Sequence, residues 1–243
     1  MTHHFTLRIY RNKPGTAPHY DTFSVEVPDE ANVLDAIERA WDDHDRTLMF
    51  RHACHHASCG SCGLRVNEVE KLPCVTPVTD YPDGATLKID PMRNFPIVTD
   101  LAVDAAPLYE RTREVGTPIM RHAEPLSENG LRELPEGIED FNRFESCIEC
   151  GLCLSACPSM AADPFYLGPV ALAMAERALV EPRGIDRQAI LNLIDDEHGL
   201  WRCHSAFECT EVCPSNVDPA GAIMRLKRIV AAEKFKGLFG RNK

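Results

Sequence analysis

The eleven cysteines of this 243-residue chain constrain its fold more than any other feature, because they fall into three tight groups. The stretch 75–146 contains none. An odd number leaves no complete disulfide pairing, and closely spaced thiols in a reducing compartment favour metal or redox chemistry. The chain is therefore predicted to fold so that each cysteine group closes around a metal centre.

The first group has the spacing C-x4-C-x2-C, with a further cysteine after eleven residues: Cys54, Cys59, Cys62 and Cys74. This spacing is typical of plant-type [2Fe–2S] ferredoxins. Gly60 and Gly63 allow backbone N–H groups to approach the sulfurs. A four-cysteine zinc site usually has two C-x2-C pairs, and only one is present here. His55 and His56 raise the alternative of a Rieske-type centre, which four available cysteines make unnecessary.

The second and third groups follow the bacterial ferredoxin spacing C-x2-C-x2-C-x3-C-P. The second group matches it in full, with Cys147, Cys150, Cys153 and Cys157. The third group matches it with Ala206 in place of the second cysteine, which leaves Cys203, Cys209 and Cys213. The two runs thus amount to a weak internal repeat.

In two-cluster ferredoxins the fourth cysteine of each run binds the other cluster. That exchange predicts a [4Fe–4S] cluster held by Cys147, Cys150, Cys153 and Cys213. It leaves the other cluster with three ligands, Cys157, Cys203 and Cys209. An iron without a thiolate is easily lost, so a [3Fe–4S] cluster is expected there. The alternative is one intact cluster beside a degenerate, empty motif.

Apolar periodicity places the first group in a small α+β unit. Alternating patterns predict strands over residues 5–10, 22–27, 64–67 and 86–90. Between the second and third of these, apolar residues at helical spacing up to Trp41 predict a helix with Asn32 as its N-cap. Strands around one helix, with a cysteine loop after it, predict a β-grasp, ferredoxin-like domain.

The rest of the chain is predicted to be helical. Residues 91–105 form a connector, and helical patterns cover 101–113, 170–180, 186–197 and 219–236. Residues 122–140 are rich in Gly, Pro and acidic residues and predict a surface loop. The expected α+β architecture is therefore a [2Fe–2S] domain with connector over 1–105, then an all-α, bacterial-ferredoxin-like domain with two clusters over 106–243.

Charge and hydropathy limit the partners and the location. The net charge of −11 argues against nucleic acid. No uncharged run reaches the roughly 18 residues of a membrane span, and no secretory signal opens the sequence, so we expect a cytosolic chain. Residues 224–243 carry seven Lys or Arg and one Glu. They form either a helix ending in cations or a basic tail against anionic lipid or an anchor subunit.

The order of these motifs resembles the iron–sulfur subunit of succinate dehydrogenase and fumarate reductase over nearly the whole chain. Beyond the cysteines, it rests on Arg51-x2-Cys54, Phe95-Pro96-Ile97-Val98-x-Asp100-Leu101, Tyr166-Leu167-Gly168-Pro169 and Cys203-His204-Ser205. The resemblance implies an electron carrier without substrate chemistry of its own. A separate FAD flavoprotein would interconvert succinate and fumarate, and a membrane anchor would meet the quinone, with this chain peripheral on the cytoplasmic face.

The resemblance also implies a quinone side, at Pro158, Ser159 and His204. Many quinone-reducing members have a tryptophan shortly after the Cys-Pro-Ser, and this chain has Met160-Ala161-Ala162-Asp163 instead. That departure favours an anchor whose haem b accepts the electron first. The alternative role for His204 is a hydrogen bond near a cluster sulfur.

Two other functions compete with this one. The chain could serve another flavin-dependent dehydrogenase, although such iron–sulfur subunits often have additional cysteine-rich repeats that this sequence lacks. It could also be a free-standing, ferredoxin-like carrier with no fixed enzyme partner. Co-purification with a tight flavoprotein separates the carrier from the subunit.

Overall fold

The computed structural model describes residues 2–116, 136–181 and 186–240. It divides into two compact units. The first combines Met1–Pro107 with Ile148–Ala156, and the second combines Leu108–Cys147 with Cys157–Lys243. A domain division between residues 105 and 106 stays a prediction. The packing of 148–156 with the first unit is a feature that the sequence pattern does not indicate.

A five-stranded mixed sheet forms the first unit, in the order β2-β1-β5-β3-β4. Strand β1 pairs with β2 in antiparallel fashion and with β5 in parallel. The bounds are Thr2–Arg11, His19–Pro28, Leu64–Val66, Val69–Lys71 and Thr86–Asp90 for β1 to β5. The four predicted strands and the β-grasp arrangement are confirmed. Strand β4 was not predicted; it pairs with β3, which is equally short.

Helix α1 (Val33–Asp43) covers one face of this sheet. Its capping box is complete: Asn32 Oδ1 accepts the Asp35 N–H at 3.1 Å, and Asp35 Oδ2 accepts the Asn32 N–H at 2.8 Å. Its apolar face belongs to a core of fully buried side chains from α1, β1 and β5, including Val33, Ile37, Leu7, Ile9, Leu87 and Ile89. Burying each such side chain stabilises the fold by about 1.5–3 kcal/mol.

The connector after β5 contains a short antiparallel pair, β6 (Ile97–Thr99) and β7 (Ala102–Val103). The prediction of a helix from residue 101 is therefore wrong at its start, and α2 spans Ala106–Glu114. Pairing with β6 outweighs helical propensity at residues 102–103. Between the two strands, buried Asp100 accepts the N–H groups of Asn12 at 2.9 Å and Met49 at 3.0 Å.

The chain rejoins the first unit after α3 (Ile138–Asn142), a helix of the second unit, and there forms α4 (Leu152–Ala156). Ser155 Oγ donates to Glu70 Oε1 at 2.9 Å, and Arg93 Nη2 donates to the same oxygen at 2.9 Å. Asn94 Nδ2 donates to the Leu154 carbonyl at 2.8 Å. These bonds satisfy a buried carboxylate and tie 148–156 to the connector.

The second unit is helical. Its further helices are α5 (Pro158–Ala162), α6 (Gly168–Leu179), α7 (Arg187–Ile194), α8 (Glu208–Glu211) and α9 (Pro219–Gly240). The helices predicted over 170–180, 186–197 and 219–236 are confirmed. The loop predicted over 122–140 lies mostly outside the described residues, and residues 138–140 belong to α3 rather than to a loop. No helix in the described ranges has the length and apolar character to cross a membrane.

A buried carboxylate on α6 pairs with two arginines of the second unit. Glu176 is 2% exposed. Its carboxylate accepts from Arg143 Nη2 at 2.6 Å and from Arg225 Nε at 2.6 Å. These hydrogen bonds link α6 to α9 and to the residue that follows α3. Removing the carboxylate would leave two partly buried guanidinium groups without their anion.

Candidate iron–sulfur centres

The loop after α1 curls around the sulfur of Cys54. Backbone N–H groups of Ser58 and Cys59 lie 3.3 and 3.4 Å from Cys54 Sγ. Left-handed backbone at His55 and Ala57 makes that curl. Hydrogen bonds from the His56 and Cys59 backbone lower the pKa of Cys54 to about 6, because N–H donors favour the thiolate. The loop thus favours the thiolate form of Cys54, which is the form of cysteine that binds metals.

The other thiols of the first group interact with one another or with Cys54. Cys62 and Cys74 are buried. Burial is the largest cause that raises the pKa of Cys62 to about 12, and the side chain of the neighbouring Cys74 contributes to the rise. Cys59 is exposed, with its sulfur 3.1 Å from Ser61 Oγ, and it interacts electrostatically with Cys62. Buried thiols that resist ionisation on their own become thiolates when a cation shares the site. The donor set fits a four-thiolate centre.

Gly60 brings this loop against residues 148–152 of the same unit. Its φ is +66°, and a Cβ at this position would lie 2.8 Å from Cys150 Cα and 3.0 Å from the Ile148 carbonyl oxygen. A Cβ on Gly63 would lie 3.1 Å from Leu152 Cδ2. The loop of the first cysteine group therefore touches the backbone of Cys150, a predicted ligand of the [4Fe–4S] cluster.

The four predicted [4Fe–4S] ligands belong to both units. Cys150 and Cys153 are in the first. Cys147 and Cys213 are in the second, where both pack against a core cluster built on Phe144. The Val217 N–H lies 3.4 Å from Cys213 Sγ. Their joint assignment to one cluster stays a prediction.

The three cysteines predicted to hold the [3Fe–4S] cluster line one pocket of the second unit. Cys157 precedes α5, Cys209 lies in α8, and Cys203 follows a short 3-10 helix. Burial, followed by the neighbouring thiols Cys157 and Cys203, raises the pKa of Cys209 to about 12. Burial also raises the pKa of Cys157, and the Cys203 thiol contributes to that shift. Three mutually repelling sulfurs at one pocket are a donor set that suits a cationic cluster core.

The remaining predicted positions lie at this pocket as well. Pro158, Ser159, His204 and Ala206 all line it. Ser159 is buried and His204 is exposed. The Ser205 N–H lies 3.4 Å from Cys203 Sγ, which is the kind of bond that tunes a cluster.

Two residues that contact this pocket or its cysteines were not predicted. Tyr166 is fully buried and lines the pocket. Burial is the largest cause that raises the pKa of its hydroxyl, and the nearby cysteines contribute to the rise. Its place at the start of the Tyr166-Leu167-Gly168-Pro169 motif was an available signal. Lys227 Nζ donates to the Cys203 carbonyl at 2.8 Å. Lys227 is one of the basic residues counted over 224–243, and no sequence signal relates it to Cys203.

The loop histidines face groups other than the sulfurs. His56 Nδ1 bonds the Cys54 carbonyl, while His55 Nε2 lies 3.4 Å from Glu38 Oε1. A Rieske-type centre would need both imidazoles at the cluster. The four-cysteine ligand set stays a prediction.

Known proteins resemble this chain over nearly its full length. Residues 6–110 match the 2Fe-2S iron-sulfur cluster binding domain family, and residues 143–217 match the 4Fe-4S dicluster domain family. The fumarate reductase iron-sulfur subunit of Mycobacterium tuberculosis is 39% identical, covering 94% of this chain and 93% of the relative. The mitochondrial succinate dehydrogenase [ubiquinone] iron-sulfur subunit of Candida glabrata is 30% identical, and the match covers 93% of this chain and 91% of the relative.

A solved structure agrees with these relatives. A chain of the Mycobacterium smegmatis Sdh1 complex in the apo form superposes with a TM-score of 0.84 at 28% identity, covering 97% of this chain and 98% of that one. The family matches show a [2Fe–2S] and a [4Fe–4S] cluster as cofactors, and a [3Fe–4S] cluster is typical of the family. The protein carries electrons within an oxidoreductase complex, and it belongs to the iron–sulfur subunits of the succinate dehydrogenase and fumarate reductase family.

Proposed function

We propose that this chain connects an FAD-containing flavoprotein to a membrane anchor subunit that carries haem b and meets the quinone. The chain is a peripheral subunit on the cytoplasmic face of the membrane, and FAD and haem belong to its partners. The proposal draws on relatives that are subunits of fumarate reductase and succinate dehydrogenase. Nucleic acid has no role in it, in keeping with a net charge of −11.

The contact between Gly60 and Cys150 is the observation that carries this proposal. It brings the loop of one predicted centre against a ligand of the next. Iron–sulfur clusters, when bound, accept and release single electrons, and tunnelling between two centres slows steeply with distance. A contact without room for a methyl group keeps the two ligand loops as close as their backbones allow.

The ligand assignments form part of the same proposal. The [2Fe–2S] cluster is held by Cys54, Cys59, Cys62 and Cys74, and the [4Fe–4S] cluster by Cys147, Cys150, Cys153 and Cys213. The [3Fe–4S] cluster is held by Cys157, Cys203 and Cys209. Pro158, Ser159 and His204 belong to the quinone side, because they line the pocket of these last three cysteines.

Affinity purification of the tagged full-length chain from solubilised membranes tests this function. We expect a flavoprotein with bound FAD, active on succinate or fumarate, and an anchor subunit with a haem b spectrum. Recovery of the chain alone would favour the free-standing carrier. A flavoprotein without activity on either acid would favour a different flavin-dependent dehydrogenase.

Metal analysis tests the ligand groups directly. The three groups predict about nine irons per chain in anaerobically prepared protein, with no zinc bound through sulfur. Inductively coupled plasma mass spectrometry measures both metals. Iron near six per chain would show that a group has been misassigned, and so would zinc whose X-ray absorption edge shows a sulfur shell.

The basic end of α9 provides a prediction about membrane attachment. Removing residues 232–243 should reduce the fraction of chain that sediments with membranes, most strongly at low salt, because cations near a membrane attract anionic lipid. Iron content should stay unchanged. The truncation also removes the ion pair between Lys234 Nζ and Asp195 Oδ1, which are 2.7 Å apart. Lys234→Ala is the control, because it removes this ion pair and leaves the rest of residues 232–243 in place. Equal sedimentation of truncated and full-length chains at every salt concentration would contradict the prediction.

A further inference from the structure

Three side chains of the first unit converge beside the first cysteine loop. Glu38 lies on α1, and His52 and His55 lie in the loop after it. Glu38 Oε1 is 3.1 Å from His52 Nδ1 and 3.4 Å from His55 Nε2, and the two nitrogens are 3.2 Å apart. Two imidazoles and a carboxylate thus direct one donor atom each at a common point.

These distances match those of metal ligands. Zinc binds imidazole nitrogen and carboxylate oxygen at about 2.0–2.2 Å with tetrahedral angles, which separates neighbouring donor atoms by about 3.2–3.6 Å. The three observed separations lie in or next to that range. Two histidines with one carboxylate, and one position left open, are a recurrent ligand set for zinc and related divalent ions.

One carboxylate oxygen of Glu38 is shielded from solvent but accepts no hydrogen bond in the described ranges. Glu38 Oε1 is shielded from solvent and accepts no hydrogen bond from any residue that the structure describes, although both imidazole nitrogens are close. A shielded carboxylate oxygen that accepts no hydrogen bond is costly. A cation at the common point would satisfy it and both imidazole lone pairs together.

The local fold holds these donors and leaves space beside them. His52 stacks on Phe50 with ring centroids 5.0 Å apart, and His55 adopts a left-handed backbone with φ of 60°. A strained conformation at a non-glycine residue persists where the surroundings favour it. The three side chains border an open cleft that Trp41 also lines, which leaves room for water as a fourth ligand.

We propose that Glu38, His52 and His55 form a divalent-cation site, suited to zinc, separate from the three cysteine groups. A bound cation joins α1 to the loop that carries Cys54. The competing arrangement is a protonated imidazole paired with Glu38, which needs no metal. The two differ in whether the site takes up a cation and which atoms bind it.

Zinc binding to the full-length, cluster-loaded chain tests the proposal under anaerobic conditions. Equilibrium dialysis against zinc chloride should give about one zinc per chain, and X-ray absorption at the zinc edge should show nitrogen and oxygen at ~2.0–2.1 Å, with imidazole outer shells. We expect His52→Ala, His55→Ala and Glu38→Gln each to weaken binding at least ~10-fold. His56→Ala alters the same loop outside the site and should bind as the wild type does.

The same measurements can overturn the proposal. A sulfur shell at ~2.3 Å would place the zinc on cysteines. Equal zinc affinity in all variants, or no zinc uptake by the wild type, would leave the triad as an ion-pair cluster. Iron content confirms that each variant keeps its clusters. If the loop variants lose iron, Glu38→Gln decides the result, because Glu38 lies on α1 rather than in the loop.

Discussion

Replacing Gly60 by alanine is expected to separate the loop of the first cysteine group from Cys150. The new methyl group would lie 2.8 Å from Cys150 Cα, a distance that packed atoms do not tolerate, so the segment 148–152 must move. Left-handed backbone adds strain, since φ at this position is +66°. Strain and overpacking together should destabilise the first unit by roughly 2–5 kcal/mol.

The expected functional result of Gly60→Ala is slower electron passage between the first two centres, together with a lower [4Fe–4S] content. Stopped-flow reduction followed by freeze-quench electron paramagnetic resonance resolves both. Gly84→Ala is the matched control: its φ is +77°, and a Cβ there meets no atom within 4 Å in the described structure. The control includes the backbone strain without the clash. Equal losses in both variants would show that the contact with Cys150 is unimportant.

Replacing Ala206 by cysteine should convert the three-ligand site into a four-ligand one. Ala206 occupies the place of the missing second cysteine in the third group, and it lines the pocket of Cys157, Cys203 and Cys209. A fourth thiolate there should retain a fourth iron. An oxidised [3Fe–4S] cluster is paramagnetic and an oxidised ferredoxin-type [4Fe–4S] cluster is not, so the oxidised-state resonance should shrink or vanish.

The added thiolate of Ala206→Cys also lowers the cluster potential, because it brings negative charge, and onward electron transfer should slow. Ala206→Val is the control, since it adds similar volume without a ligand atom and should keep the resonance. The iron content should rise by about one iron per chain in the cysteine variant and stay unchanged in the valine variant. A full oxidised-state signal with an alkylatable new thiol would show that residue 206 does not face the vacant iron corner.

Local signals account for what the sequence predicted well. Asn32, predicted as the N-cap, marks the start of α1, and strict alternation marks β1, β2 and β5. The cysteine spacings are equally local, so the three groups and their cluster types followed from the chain alone. Family matches show the two cluster classes, whereas the ligand-by-ligand assignments remain to be tested by the variants above.

Long-range pairing accounts for what the sequence did not predict. Strand β7 forms at residues 102–103 because β6 lies next to it, against the helical pattern of the segment. Helices α3, α4, α5 and α8 have four or five residues, fewer than a periodic pattern needs. The Glu38 site joins α1 to the cysteine loop, and Tyr166 reaches its pocket from a separate motif. The Glu38 site and the position of Tyr166 both depend on contacts between distant segments, and a hydrophobic pattern along the sequence carries no information about such contacts.

The return of residues 148–156 to the first unit has a consequence for biosynthesis. Residues 1–107 leave the ribosome first, but Ser155, which donates to the buried Glu70, is made almost 50 residues later. At ~5–20 residues per second the nascent sheet waits about 2–10 s for that partner. During this interval Gly60 and the thiols around it lack the cover of 148–152. The loop that carries Cys54, Cys59 and Cys62 is therefore uncovered before the segment that packs against Gly60 is made.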